Sequence, residues 1–330
     1  MTKQTLPELI RKKAHELDLP RDITEGFLDF CSSYQKALDA QHRSLESISP
    51  IFEQFLELVK KQLDHPHHFL PYHKAVCEPI DCYTLGLEFI RPILDMDHSL
   101  VKGRENIQEM QKSLAKGENV ILLSNHQTEI DPQIISLLTE PFAPGFAKNM
   151  IFVAGHRVTT DPLAVPLSLG CNLLCIYSKR HVENPPEKKA EKLQHNSKVM
   201  KNLEELLKEG GKCVYVAPSG GRDRPDTDGN IEVAPFDPQS VELFYLISQK
   251  AKRPTHFHTL ALKTFALLPP PKEILKDIGE ARTTEFSPAF LYYGPEIDME
   301  KFSFIEDKKE RRAKRAEVIY KQMLEQYEKL

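Results

Sequence analysis

The chain has no apolar run long enough to cross a membrane. Its best stretch, Leu163 to Tyr177, is broken by Pro166, Ser168, Gly170 and Asn172, and a span needs about 20 predominantly apolar residues. The opening Met1-Thr2-Lys3-Gln4-Thr5 lacks the apolar core of a secretory signal. The acidic, helix-like stretch after it does not fit a transit peptide. We therefore expect a soluble, cytoplasmic protein. Positive charge is not in excess: 44 Lys and Arg stand against 48 Asp and Glu, a formal net charge of −4. That argues against a nucleic-acid binder, which usually carries a basic surplus, but leaves room for a local basic pocket. The six cysteines include no CxxC pair and suggest no disulfide framework. His65, His67, His68 and His73 precede Cys77 and Cys82, but the spacing matches no common zinc site. Pro66 and Pro71 also interrupt the segment, so we read it as a polar linker and expect neither metal nor cofactor. GxGxxG, Walker A and GxSxG are all missing, as are internal repeats. No dinucleotide fingerprint, phosphate loop or serine nucleophile elbow is therefore indicated.

What the sequence does contain falls into two parts, as 330 residues would suggest. Phe52, Phe55, Leu56, Val59 and Leu63 recur at helical spacing, and Phe27, Leu28, Phe30 and Cys31 mark an earlier helix. Strand signals are scarce before residue 64. The proline- and histidine-bearing stretch 64–79 then marks a boundary, and we expect a helical domain over 1–75 and a second domain over 76–330. In the second, short apolar runs alternate with helical stretches. The runs are Asn119 to Leu123, Ile151 to Ala154, Leu173 to Tyr177, Val214 to Ala217, Thr259 to Leu262 and Phe290 to Tyr293. Helices are expected over Lys192 to Lys208, Ser240 to Lys250 and Asp307 to Lys329. The expected fold is α/β, a mixed, largely parallel sheet covered by helices, with a smaller all-helical N-terminal domain.

Three segments directly after expected strands carry chemistry. In Ser124-Asn125-His126-Gln127-Thr128-Glu129-Ile130-Asp131-Pro132, Asp131 reads as a helix cap ahead of a proline at the first helical position. His126 then lies on the turn, where Asp131 can hold one imidazole nitrogen and leave the other as a base. A cap and a chance histidine account for the same letters. In Ala217-Pro218-Ser219-Gly220-Gly221-Arg222-Asp223-Arg224-Pro225, the two arginines point the same way if the segment is extended. The glycines allow close approach of a ligand, and forked arginines suit a phosphate. A solvated loop with Asp223 as its internal counter-ion is the alternative. Ser178-Lys179-Arg180-His181 adds cationic donors, or is a surface charge run.

Taken together, these segments resemble the His-x4-Asp glycerolipid acyltransferase superfamily, and most closely its soluble, chloroplast-type glycerol-3-phosphate acyltransferases. Asn125 to Glu129 with Asp131-Pro132 matches the first block, Val153-Ala154-Gly155 with Arg157-Val158 and Asp161-Pro162-Leu163 the second, and Ala217 to Asp226 the third. Asn172 to Lys179 with His181 matches the strand between them. The likeness covers residues 70 to 271 well and is weakest after Pro271. His156 stands where an Asp is common, Thr259 where a Pro is common, and Arg180 where a Lys is common. The resemblance implies acyl transfer from a thioester to the primary hydroxyl of glycerol-3-phosphate. His126 would be the base and Asp131 its orienting partner. Arg180, His181, Arg222 and Arg224 would bind the acceptor phosphate, with Lys179 a weaker member. Acyl carrier protein or coenzyme A would carry the donor. No nucleic acid and at most peripheral membrane contact are expected. An acidic carrier would dock on basic surface. Lys308, Lys309, Arg311, Arg312, Lys314 and Arg315 offer one patch, and Lys188, Lys189 and Lys192 another. Another phosphorylated acceptor such as lysophosphatidate, a non-catalytic phospholipid-binding module and a hydrolase stay open as alternatives.

Overall fold

A computed structural model describes residues 4–270 and 282–330, with only the backbone of Arg180. The chain begins with three helices, α1 (Leu6–Glu16), α2 (Arg21–Ala40) and α3 (Ser49–Asp64). Thr5 starts α1 with a capping box shared with Glu8, which satisfies N–H groups that the first turn would otherwise leave unpaired. The face expected on α3 is the one it buries: Phe52, Phe55, Leu56 and Val59. Phe27, Phe30, Phe52 and Phe55 form a ring cluster that continues onto Phe89. The Tyr34 hydroxyl donates to the Phe89 carbonyl at 2.8 Å. The aromatic core of these helices is thus continuous with the core beneath one face of the sheet, including Val120 and Leu122.

The strands are β1 (Tyr72–His73), β2 (Leu100–Lys102), β3 (Asn119–Ser124), β4 (Ile151–Gly155), β5 (Asn172–Ile176), β6 (Cys213–Val216), β7 (Arg224–Pro225), β8 (Ile231–Glu232), β9 (Thr255–Lys263) and β10 (Phe290–Ile297). The remaining helices are α4 (Cys82–Ile90), α5 (Arg104–Ala115), α6 (Asp131–Thr139), α7 (Val165–Ser168), α8 (Lys179–Val182), α9 (Lys189–Glu209), α10 (Pro238–Ala251) and α11 (Lys308–Glu328). Among the described residues, eight strands make the main sheet in the order β1-β5-β4-β6-β3-β9-β10-β2, and β7 and β8 form a separate pair. The mixed, largely parallel sheet read from the sequence is the one observed. Strands β5, β4, β6, β3 and β9 run parallel, while β1 and β10 are antiparallel to their neighbours β5 and β9.

Every residue of β3 is buried. Val120 and Leu122 face one layer of helices while Ile121 and Leu123 face the other. That explains the unbroken apolar run: a strand covered on both faces has no polar side. The stretch read as a polar linker does more than connect. Tyr72 and His73 pair with β5, and the His73 ring packs against His67 and Phe69. Two residues are too few to show a strand period. The six cysteines form no disulfide. No helix among the described residues is long and apolar enough to cross a membrane.

The parallel strands fix where the chemistry lies. The chain leaves β3, β4, β5 and β6 at one edge of the sheet, and the segments singled out above come directly after those strands. A crevice beyond the carboxyl ends of parallel strands is where α/β sheets bind ligands.

Candidate functional site

At the end of β3 the chain turns before entering α6. His126 lies on that turn, and its Nδ1 is 2.8 Å from Asp131 Oδ2. The Asp131 side chain is 1% exposed and that of His126 31%. Asp131 is not the cap that the sequence suggested. It is the first residue of α6, and its side chain turns back instead of onto the helix. Oδ2 also accepts from the Gln127 N–H at 3.0 Å. Oδ1 accepts from the Thr128 N–H at 3.2 Å, the Thr128 hydroxyl at 2.8 Å and the Thr264 hydroxyl at 2.7 Å. Burial pushes the Asp131 carboxyl up, but the bonds from His126, Thr264 and Gln127 outweigh it and the pKa is lowered. An ionised carboxylate only accepts, so Nδ1 carries the proton of a neutral ring and Nε2 is left with its lone pair. Spacing and chance alike allowed this pair; the geometry joins it.

The third segment is fastened to this turn from beneath. Asp223 is fully buried, and its backbone N–H donates to the His126 carbonyl at 2.7 Å. Its carboxylate accepts from Asn125 at 2.7 Å, Gln127 at 3.2 Å and the Ala234 N–H at 3.1 Å. Asp223 is therefore not the counter-ion of a solvated loop. It points inward to neutral donors, and burial raises its pKa despite those hydrogen bonds. Arg222 and Arg224, on either side of it, are half-buried. Gly220, at φ +71°, supplies a left-handed turn that side chains disfavour.

The other acceptor candidates are less uniform. His181 is exposed, with Nδ1 2.9 Å from the Ser178 hydroxyl. Lys179, 72% exposed, pairs with Asp237 at 3.0 Å, which ties its amine to the cap of α10. The Arg180 side chain lies outside the described residues. His156, one of the departures noted above, packs at a tilt against Tyr177 with ring centroids 4.7 Å apart. Burial, then the nearby His181, Lys192 and His195, lower its pKa to about 4, so it adds no charge near neutrality. Thr259, the other departure, is buried and donates to Gln326 of α11 at 2.7 Å. Among the described residues no group of three or more His, Cys, Asp and Glu side chains is arranged to hold a metal.

Sequence reasoning missed the scaffold around the pair. Asn125 grips β9 through the Leu262 N–H at 2.8 Å and the Leu262 carbonyl at 3.0 Å. Gln127 accepts from the Thr264 and Phe265 N–H groups at 2.7 and 3.0 Å. Both residues stand in the first motif, but Thr264, more than 130 positions away, gave no signal. The basic patches also contract. Arg315 is 2% exposed, is paired with Glu242 and lies over the Tyr245 ring. Lys192 is 8% exposed and donates to the His181 and Asn184 carbonyls. Neither is available to a docking protein.

A family model described as Acyltransferase matches residues 98–262. A chloroplastic glycerol-3-phosphate acyltransferase of Cucurbita moschata is 37% identical over 302 residues, spanning 91% of this chain and 68% of that one. The chloroplastic glycerol-3-phosphate acyltransferase of Arabidopsis thaliana is 35% identical over 331 residues, spanning 99% and 72%. The crystal structure of a 1-acyl-sn-glycerophosphate (LPA) acyltransferase from Thermotoga maritima aligns over 97% of this chain and 96% of that one, at 16% identity and a TM-score of 0.41. That likeness is too slight to carry any reading of the site. The cytoplasmic location expected from the sequence is overturned by the relatives, which are named chloroplastic. The expectation rested on the character of a few N-terminal residues, which does not decide a compartment.

Proposed function

The chain belongs to the glycerol-3-phosphate acyltransferase family, and we propose that it moves a fatty acyl group from a thioester to the primary hydroxyl of glycerol-3-phosphate. The observation that carries this reading is the 2.8 Å contact between half-exposed His126 and buried Asp131 at the carboxyl edge of a parallel sheet. His126 Nε2 takes the hydroxyl proton as the oxygen attacks the thioester carbonyl. The ionised Asp131 steadies the imidazolium that forms. The new C–O bond closes, the C–S bond breaks, and the imidazolium returns its proton to the departing thiolate. The products are 1-acylglycerol-3-phosphate and a free thiol. A thioester is already activated, so positioning and one base suffice. Arg222 and Arg224 bind the acceptor phosphate, joined by His181 and Arg180. Lys179 contributes less, because Asp237 already holds its amine. The donor is acyl carrier protein or coenzyme A.

Following thiol release with and without glycerol-3-phosphate tests the assignment. Transfer needs the acceptor, hydrolysis proceeds without it, and a binding module releases nothing. Lysophosphatidate offered in place of glycerol-3-phosphate separates the two acceptors. Acceptor-independent release, or release with lysophosphatidate alone, would refute the assignment.

A further inference from the structure

Gln127 stands between the turn that carries His126 and the loop that carries Arg222 and Arg224. Its backbone N–H donates to Asp131 Oδ2, the oxygen that also meets His126. Its side-chain oxygen accepts from the Thr264 and Phe265 N–H groups. The two hydrogens on its amide nitrogen go to Asp223 and to the Tyr327 hydroxyl, both at 3.2 Å. The side chain is fully buried, and all four hydrogen-bonding positions of its amide are taken.

Tyr327 comes from α11, 200 positions further along the chain. A second tyrosine of that helix reaches the same loop from another side. Tyr320 donates its hydroxyl to the Val233 carbonyl at 2.7 Å. That carbonyl belongs to the same peptide unit as the Ala234 N–H, which donates to the Asp223 carboxylate at 3.1 Å. The two tyrosines lie two turns apart on one face of α11, about 10 Å along the axis. Asn125, Gln127 and Ala234 donate to the Asp223 carboxylate, and the last two are each held from behind by a tyrosine hydroxyl of α11.

The helix itself is tied down beside this point. Thr259 of β9 donates to Gln326 at 2.7 Å, and the Lys263 ammonium lies 4.8 Å from the centre of the Tyr327 ring. Gly294 of β10 leaves the room for this, because a Cβ there would collide with the Thr259 hydroxyl and the Gln326 amide.

We propose that Tyr327, seconded by Tyr320, is a positioning residue of the acceptor site: the two hydroxyls of α11 fix the donors that hold Asp223, and so keep Arg222 and Arg224 where the phosphate meets them. The inference rests on the reading of those arginines as phosphate ligands. Rings alone would pack α11 against the sheet, and a hydroxyl taken from water is unfavourable unless it is bonded. Here both hydroxyls are directed at the donors of one buried carboxylate. A peptide that accepts at its carbonyl donates more strongly at its N–H, so Tyr320 reinforces the grip of Ala234. A loop held in place before the ligand enters loses less freedom on binding, which places the effect in acceptor affinity.

Tyr327→Phe keeps the ring and the seat of Lys263 and removes the hydroxyl alone. Steady-state thiol release by the full chain, with acyl-coenzyme A as donor, should show the acceptor KM raised by about 3- to 10-fold, the span for loss of one neutral hydrogen bond. The donor KM should not change, and kcat should stay within a few-fold. Tyr320→Phe should act in the same direction, and it carries the test if Tyr327→Phe does not fold. Asp223→Ala supplies the readout that a purely structural role would not move. If the tyrosines act through that carboxylate, adding Tyr327→Phe to Asp223→Ala should raise the acceptor KM little further, whereas independent effects would multiply. An unchanged acceptor KM in the folded variants, a loss confined to kcat, or full multiplication in the double variant overturns the inference. An acceptor KM indifferent to both Arg222→Ala and Arg224→Ala would instead overturn the reading of the phosphate site on which it stands.

Discussion

The His126 imidazole and the Asp131 carboxylate meet at 2.8 Å because the chain between them is a turn and not a helix. On a continuous helix their separation would place them about 140° apart. Thr264, arriving from the end of β9, fills the other side of the carboxylate at 2.7 Å. The pair is therefore built by two strands and one turn, and neither partner needs to move to reach the other. His126→Ala is expected to leave the fold intact and to lower turnover by at least about 10²-fold, the low end for loss of a general base. Asp131→Asn should cost less turnover, because it disturbs orientation and leaves the base present. Steady-state thiol release checks both, and turnover within a few-fold of wild type in His126→Ala would remove the mechanism.

Arg222 and Arg224 flank a buried Asp223 that pins their loop to the His126 carbonyl. A hydrogen bond to a charged group is worth roughly 1.5–3 kcal/mol, so each Arg→Ala should raise the acceptor KM by about 10- to 100-fold. Added salt should weaken acceptor binding by the wild type. An unchanged KM in both variants would end the assignment. Asp223→Ala is a different probe. It removes no cation, yet should raise the same KM, since the loop loses its three carboxylate anchors.

How much of this was legible depends on where each residue's partners lie in the chain. Asn119 to Leu123 declared β3 because a doubly covered strand must be apolar throughout. The His126–Asp131 contact and the loop carrying Arg222 and Arg224 were legible because each occupies a few consecutive letters after such a strand. Asp223 offered the alternative of an internal counter-ion because Arg222 and Arg224 are its neighbours in sequence, whereas Asn125 and Gln127 are its neighbours in space. Glu129 stands in the first motif, but its partner Arg282 is 153 positions away. The basic start of α11 was read as one docking patch. Helical geometry instead turns Arg315 inward onto Glu242, and no local charge pattern records that.

Away from the site, His256 bridges two carboxylates, Glu296 at 2.7 Å and Glu118 at 2.9 Å. Burial lowers its pKa, but the bonds to Glu296 and Glu118 outweigh that and raise it. A histidine whose folded pKa is raised contributes stability fully below its unfolded value, about 6.5, and loses it as pH climbs through the folded value. Wild-type Tm should therefore fall relative to His256→Gln as pH rises from about 6 to about 8. Melting curves of the two proteins across that range provide the measurement, and parallel Tm profiles would show that the bridge adds nothing.

The donor is the remaining question, and the structure narrows the surface on which a carrier protein could dock. An acidic carrier is drawn to basic surface and held there through screened contacts. Of the cations near the start of α11, Arg315 is buried against Glu242 and Lys314 is paired with Glu317. Reversing Arg315 would strand Glu242 beside a like charge and damage the fold, so it cannot report on docking. Lys308 and Lys309 are exposed and lie in the first turn of the helix, where cations oppose the helix dipole. They are the better probe. If an acyl carrier protein docks there, transfer from it should fall as salt rises, and transfer from acyl-coenzyme A should fall less. Lys308→Glu with Lys309→Glu should reproduce the loss at low salt for the carrier donor alone. The same pair should leave melting temperature nearly unchanged or slightly higher, because acidic residues favour a helix start. Equal salt curves for the two donors, together with no donor-selective effect of the reversal, would exclude this face as the docking surface.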